Sequence, residues 1–246
     1  MSDMEITTLH YFYIGLAAFL IGLTKTSVGG IGIFAVLLMA LAIPGKASPG
    51  VLLPMALAAD ILAILYYRRS CQWLILLKLL PLTLVGVGAG ALFMHLVPDN
   101  NFERLIGWII LAMLVLDIAM TKGMRAHMQG RVVTGIAGLL AGATSMVANA
   151  AGPIFGIYLL QMGLSKSEFV GTRSWFFLLL NVAKLPFSAQ LGLITIPSLV
   201  LNLVYLPVII VGAVSGYKLL KYINIDVFKW LIRMASLLAA LRLILT

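Results

Sequence analysis

The sequence Gly22-Leu-Thr-Lys-Thr-Ser-Val-Gly-Gly-Ile-Gly32 interrupts a long apolar run near the start of the chain. A second stretch of the same character, Gly142-Ala-Thr-Ser-Met-Val-Ala-Asn-Ala-Ala-Gly-Pro153, follows about 120 residues later. Because apolar residues flank both stretches, we expect both to lie at membrane depth. Irregular backbone is tolerated there only where it is buried in protein or lines a wet cavity. Paired interruptions of this kind in two halves of a chain indicate the binding site of a transporter.

The composition indicates an integral membrane protein. The 246 residues are 62% hydrophobic and 10% charged, whereas a soluble domain carries about 25% charged residues. Residues 1–9 lack the basic segment of a cleavable signal peptide, so we expect the first helix to remain in the mature protein. Cys71 is the single cysteine, which excludes an internal disulfide and a cysteine-based metal cluster.

Apolar segments of two lengths follow one another along the chain. A helix that crosses the bilayer core needs about 20 residues; six segments are close to that length, and those beside the interruptions are shorter. We therefore predict two short helices around each interruption, either as a re-entrant hairpin or as two tilted helices, followed by three transmembrane helices in each half. The predicted segments are 9–23, 31–43, 49–67, 73–97, 102–120, 132–142, 154–162, 169–187, 196–220 and 227–245.

The second half of the chain resembles the first. At an offset near 121 residues, Gly50 falls on Gly171 and Asp60 on Asn181. Each half has an odd number of crossings, so two such halves in tandem must point in opposite directions. The predicted fold is an all-α polytopic membrane protein with two inverted-topology repeats, residues 1–121 and 132–246, joined by a cytoplasmic linker, residues 122–131.

Positive charge is distributed unequally between the two sides of this topology. Eleven Lys and Arg residues fall in or beside loops 68–78, 122–131, 165–173 and 218–229, and three fall on the opposite side. Cytoplasmic loops carry the excess of Lys and Arg, so we predict a multi-pass protein with both termini outside. The net charge of +9 therefore reports topology, and we expect no nucleic-acid partner because the cations form no folded polar face.

The chain resembles the sulfite exporter TauE/SafE family over nearly its whole length. The resemblance rests on Gly29-Gly30-Ile31-Gly32 with the apolar run to Pro44, on Asn149-Ala-Ala-Gly-Pro153, on Gly171-Thr-Arg-Ser-Trp175 and on Asn181-Val-Ala-Lys-Leu-Pro186. It implies a bacterial-type inner-membrane transporter that exports a small sulfur-containing anion, sulfite or a short organosulfonate such as sulfoacetate. Alternating access, with or without proton coupling, is the expected mechanism. The alternatives are an anion channel and an importer of another small anion.

The residues of the two interruptions suit an anionic substrate. Helix N-termini attract negative groups, and the second helix of each pair begins at the interruption. Hydroxyl, amide and backbone donors there would suit sulfonate oxygens; small residues would alternatively permit close helix packing. The predicted substrate-binding residues are Thr24, Lys25, Thr26, Ser27, Gly29, Gly30, Thr144, Ser145, Asn149 and Gly152.

Five charged or polar side chains within or beside apolar segments are central to the candidate site. Lys25 would supply the charge that attracts an anion, because a lysine at membrane depth is costly and usually functional; near an interface it would instead snorkel. Asp60 and Asn181, together with Lys184, are candidates for proton coupling or for static pairing. Arg173 would steer anions at the cytoplasmic mouth or anchor its helix.

The sequence lacks the motifs of several other functional classes. No nucleotide-binding loop, metal-ligand spacing or nucleophile–base pair is present, so we expect no ATP site, no cofactor and no enzymatic activity. Glycine pairs at 86/90 and 212/216 would face either the other repeat or a second subunit, and a homodimer is one outcome of that pattern.

Overall fold

The computed structural model describes residues 7–27, 32–67, 69–98, 101–119, 130–160 and 162–219, with single positions between 234 and 245. Every regular element in this part of the chain is a helix. The helices are α1 Thr8–Thr26, α2 Gly32–Ala42, α3 Ala47–Tyr67, α4 Trp73–Leu96, α5 Phe102–Ala119, α6 Arg131–Ala148, α7 Gly152–Leu160, α8 Lys166–Gln190 and α9 Ile196–Leu219.

Three of the described helices are long and apolar enough to cross a membrane, α3, α4 and α9. Their outward faces carry large apolar side chains, for example Leu74 and Leu77 on α4 and Leu203 and Val204 on α9, which are between 62% and 73% exposed. Exposed apolar surface of this extent is suited to lipid. Of the last predicted span, 227–245, the structure describes only scattered helical positions.

The helix pairs beside the two interruptions differ from the prediction of two short helices. The first member of each pair is long, 19 residues in α1 and 18 in α6; the second is short, 11 residues in α2 and 9 in α7. At 1.5 Å per residue the short helices extend about 16 and 13 Å, roughly half a bilayer core. The predicted ends at residues 23 and 142 were therefore wrong.

Three hydroxyl side chains are accommodated inside the last turns of the long helices. Thr24, Thr26 and Thr144 each donate a hydrogen bond to a carbonyl three or four residues earlier, at 3.2, 3.2 and 2.6 Å. This local bonding satisfies the hydroxyl inside an apolar helix. Residues 24–26 and 143–148, which were predicted to belong to the interruptions, instead form the last turns of α1 and α6.

Helix α1 packs closely along α9. A Cβ added to Gly22 would collide with the backbone of Ile209 and Ala213, and one added to Gly212 would collide with Phe19. Gly15 lies against Tyr205 and Gly216 against Leu23, so residue numbers rise together along the contact and the two helices run in the same direction. Glycine is required here because it lets two backbones approach within side-chain distance.

Helix α4 packs along α6 in the same way. A Cβ added to Gly142 would collide with the backbone of Thr83 and Val87, and one added to Gly86 would collide with Leu139. These two helices also run in the same direction. The glycines of the 86/90 and 212/216 pairs thus face helices of the same chain, and a homodimer stays a prediction.

Helices α3 and α8 cross in opposite directions. Gly50, near the start of α3, lies against Leu193 just beyond the end of α8, whereas Gly171, near the start of α8, lies against Tyr67 at the end of α3. Asp60 meets Asn181 between these two contacts. This crossing brings the polar residues of both spans to the interior of the protein.

Three predicted features lie outside the described residues or are untested. Gly29 and Gly30 belong to the segment between α1 and α2 that the structure does not describe. Most of the predicted linker 122–131 also lies outside the described residues. The boundaries of the two predicted repeats stay predictions.

Candidate anion-binding site

Lys25 turns inward from the last turn of α1. Its Nζ lies 2.8 Å from Oδ1 of Asp60, and the two side chains are 12% and 0% exposed. The same ammonium lies 4.2 Å from the centre of the Phe177 ring, within the range of a cation–π interaction. Lys25 is thus part of the protein interior, and the interpretation that it snorkels to an interface does not describe its position.

Asp60 and Asn181 join the two crossing helices. Asn181 Nδ2 donates to Asp60 Oδ2 at 2.7 Å, and both side chains are buried. Asp60 therefore accepts from an amide on α8 through one oxygen and faces the Lys25 ammonium through the other. A buried carboxylate is stable only when it is paired and hydrogen-bonded in this manner.

Lys184 reaches the end of α6 from α8. Its Nζ donates to the carbonyl of Ser145 at 2.7 Å, to the Ser145 hydroxyl at 3.2 Å, to Asn149 Oδ1 and to Asn181 Oδ1 at 3.5 Å. The side chain is 1% exposed. The cation that the second interruption lacks in its own sequence is therefore supplied by another helix.

Asn149 ends α6 in a left-handed conformation. Its φ is +51°, a region that Asn adopts more readily than most other residues with a Cβ. Its backbone N–H donates to the Ser145 carbonyl at 2.9 Å, and its Nδ2 donates to the carbonyl of Pro49 at 3.0 Å. Asn149 thus positions an amide oxygen on Lys184 and connects the end of α6 to the start of α3.

Arg173 is buried rather than placed at an open mouth. Its guanidinium is 5% exposed and donates to the carbonyls of Thr24 and Lys25, the latter at 3.2 Å. These carbonyls belong to the last turn of α1, where carbonyls have no partner in their own helix. Tyr67 adds a hydroxyl donor to the carbonyl of Thr26 at 3.3 Å, so side chains from α3 and α8 cap α1.

The remaining predicted residues lie close to this cluster but already have partners or are less enclosed. The Thr26 hydroxyl also donates to the carbonyl of Ala213 at 2.7 Å. Ser27 is buried directly after α1, and Gly152 begins α7 with open space where a side chain would be. The threonine hydroxyl protons are already used in these hydrogen bonds. The ammonium and guanidinium groups are charged and are therefore the stronger hydrogen-bond donors that the cluster can offer to an anion.

The charges of the cluster do not balance. Among its described residues, Lys25, Arg173 and Lys184 are cationic and Asp60 is the single carboxylate, a formal excess of two positive charges. Arg173 and Lys184 contact helix C-termini, each equivalent to about half a negative charge, which offsets part of that excess. A buried, partly uncompensated positive site of this kind can hold an anion.

Two contributors to the cluster were not placed there by sequence reasoning. Tyr67 is the last residue of the predicted segment 49–67, and Phe177 lies within the predicted segment 169–187. Phe177 precedes Asn181 by four residues, so the helical repeat places them on one face, and that spacing is a signal that could have identified it. No comparable signal exists for Tyr67, because its contact with Thr26 depends on how α1 packs against α3.

No set of ligands for a metal is evident near the cluster. Across the described residues, no group of three or more His, Cys, Asp or Glu side chains is placed to hold a metal ion. The charged groups in the cluster are the side chains of Lys25, Arg173, Lys184 and Asp60.

Comparison with known proteins identifies a family for almost the whole chain. The family model described as sulfite exporter TauE/SafE matches residues 14–243. No protein with curated function and no solved structure gives a significant match.

Proposed function

Because the chain belongs to the sulfite exporter TauE/SafE family, we propose that it is a secondary transporter that exports a small sulfur-containing anion. Sulfite and short organosulfonates such as sulfoacetate are the proposed substrates. The observation that carries the proposal is the buried excess of positive charge around Lys25, Arg173 and Lys184.

The excess charge favours an anion over a neutral or cationic substrate. An isolated ammonium in a low-dielectric interior is costly unless it is paired. Lys25 is paired with Asp60, and the acceptors of Arg173 and Lys184 in the described structure are neutral oxygens. An oxyanion would supply the missing negative charge and could replace neutral acceptors with charged ones.

Equivalent contacts support an internal duplication. The packing of α1 on α9 maps onto the packing of α6 on α4 when 120 is added to the α1 numbers and 126 is subtracted from the α9 numbers. Under this rule Gly22 becomes Gly142, and its neighbours Ile209 and Ala213 become Thr83 and Val87. The second contact, between Gly212 and Phe19, becomes that between Gly86 and Leu139.

The crossing of α3 and α8 favours an inverted relation between the two halves. These helices correspond at an offset of 121 residues, the separation of Asp60 and Asn181, and they run in opposite directions. Corresponding helices run antiparallel when the repeats are related by an axis in the membrane plane. We therefore retain two inverted repeats as the architecture, with access alternating by movement of one repeat against the other.

Export is the direction favoured by charge. An inside-negative potential drives an anion outward by about 2.3 kcal/mol per charge per 100 mV. The excess of Lys and Arg in loops on one side supports a cytoplasmic position for that side, with both termini outside. Binding of the anion to Lys25 would free Asp60 to accept a proton, which offers a route to coupling.

Binding of candidate anions to the purified protein tests this proposal. We expect sulfite or a sulfonate to raise the melting temperature in detergent, whereas sulfate, thiosulfate and carboxylates of matched charge have smaller effects. Lys25→Met should abolish the shift, and Lys78→Met, a lysine on the exposed face of α4, should leave it unchanged. Equal shifts for all anions in both variants would reject a specific site.

A further inference from the structure

We propose that Lys184 is a second anion-binding cation, equivalent to Lys25, so that each half of the protein supplies one ammonium to a shared site. This inference rests on the proposed transport function. It concerns which residues hold the substrate, and it goes beyond a pairing role for Lys184.

The two lysines do not correspond in sequence. At the offset of 120 residues that relates α1 to α6, Lys25 corresponds to Ser145. At the offset of 121 residues that relates α3 to α8, Lys184 corresponds to Ala63, a fully buried residue. Each half therefore contains one lysine that has no lysine counterpart in the other half.

The ammonium groups nevertheless have equivalent surroundings. Lys25 Nζ extends from α1 to Asp60 on α3, at 2.8 Å. Lys184 Nζ lies 3.2 Å from the hydroxyl of Ser145, the counterpart of Lys25 itself, and 3.5 Å from Asn181, the counterpart of Asp60. The two charges thus occupy corresponding places, although one side chain reaches that place from the broken helix and the other from the crossing helix.

The two places differ in their acceptors. Lys25 faces a carboxylate, whereas the acceptors of Lys184 within the described structure are the Ser145 carbonyl and hydroxyl and the amide oxygens of Asn149 and Asn181. Neutral oxygens leave the charge of a buried ammonium uncompensated. Lys184 is consequently the group in the pair with an open requirement for a negative charge.

This arrangement defines the class of ligand. Two ammonium groups flank the hydrogen-bonded Asp60–Asn181 pair from its two ends. An oxyanion with several oxygen atoms, such as sulfite or a sulfonate, offers a separate acceptor to each lysine. A ligand with a single accepting atom would engage one lysine only.

Moving each lysine to its counterpart position tests the equivalence. Calorimetry with sulfite would compare the wild type with Lys184→Met, with the relocated pair Ser145→Lys/Lys184→Ala and with the relocated pair Lys25→Ser/Ala63→Lys. We expect Lys184→Met to weaken binding by about 10- to 100-fold, as when a hydrogen bond to a charged group is lost. Either relocated pair that remains monodisperse should bind sulfite with most of the wild-type affinity.

The possible failures can be told apart. If Lys184→Met binds sulfite like the wild type while Lys25→Met does not, the equivalence is wrong and the proposed function stands. Monodisperse relocated pairs that do not bind would likewise overturn the equivalence. If the wild type binds neither sulfite nor sulfoacetate, the proposed function fails and the inference fails with it.

Discussion

Asn181 donates a hydrogen bond to Asp60, 121 residues earlier in the chain, at 2.7 Å across the crossing of α3 and α8. The two side chains are buried, and each is also approached by a lysine ammonium, Asp60 by Lys25 and Asn181 by Lys184. This pair connects the end of α1 with the end of α6.

Asp60→Asn should separate charge from shape in this pair. The amide keeps the size of the carboxylate and can still accept from Asn181, but it cannot carry a proton between states. We expect transport in proteoliposomes to lose its dependence on a pH gradient. Glu168→Gln is the matched control, because Glu168 is a carboxylate outside the predicted span. Hydrogen bonds from the Ser165 hydroxyl and backbone and from Gln72 hold the pKa of Glu168 below its usual value. Retained gradient dependence in Asp60→Asn would give Asp60 a purely structural role.

Lys25 and Asp60 should be coupled in stability. Removing one partner of a buried ion pair costs about 3–5 kcal/mol because the other charge is left unpaired. We expect Lys25→Met and Asp60→Leu each to lower stability by that order, and the double variant to lose much less than the sum. Unfolding in detergent, monitored for all four proteins, measures the coupling. Additive losses would mean that the ion pair does not form.

Gly142 should tolerate no larger side chain. A methyl group there would collide with the backbone of Thr83 and Val87, so α4 and α6 would have to separate, at a cost of about 1–3 kcal/mol. Gly88 lies on α4, the helix that packs against α6, and has open space around it, so Gly88→Ala should be neutral or stabilising by about 0.5–1 kcal/mol. Melting temperatures of the two variants decide the matter; equal values would contradict the close packing.

Single cysteines should report the orientation of the protein. In a Cys71→Ser background, Arg69→Cys between α3 and α4 should react with a membrane-impermeant maleimide from the cytoplasmic side. Thr195→Cys between α8 and α9 should react from the outside. Both positions are exposed, whereas burial raises the pKa of the native Cys71 thiol to about 11, so that thiol should react slowly at neutral pH. Labelling of both new cysteines from one side would contradict the topology.

Much of the fold could be predicted from the sequence because it depends on length and hydropathy. The segments predicted as 49–67, 73–97 and 196–220 agree with α3, α4 and α9 to within a few residues. The ends of α1 and α6 could not be located from the sequence. Glycines and hydroxyl residues are spread through 22–32 and 142–153, and each of them is compatible with a helix end. The hydroxyls of Thr24, Thr26 and Thr144 bond to carbonyls of their own helices, so their presence does not require a break.

Most of the polar residues in the candidate cluster could be selected from the sequence, but few of the contacts between them could. Lys25, Asp60, Asn181 and Lys184 were selected because charge is expensive in an apolar segment. That Lys184 reaches Ser145, 39 residues away, depends on the packing of α8 against neighbouring helices, which local spacing does not encode. Arg173 illustrates the same point, since it caps α1 from 149 residues away.

Efflux of radiolabelled sulfite from proteoliposomes tests the central claim most directly. Wild-type protein should move sulfite saturably under a membrane potential that drives anions outward, and Lys25→Met should reduce the rate to that of empty liposomes while Lys78→Met retains it. Sulfite movement that is no faster with the wild-type protein than in empty liposomes, or equally fast with Lys25→Met, would contradict the account.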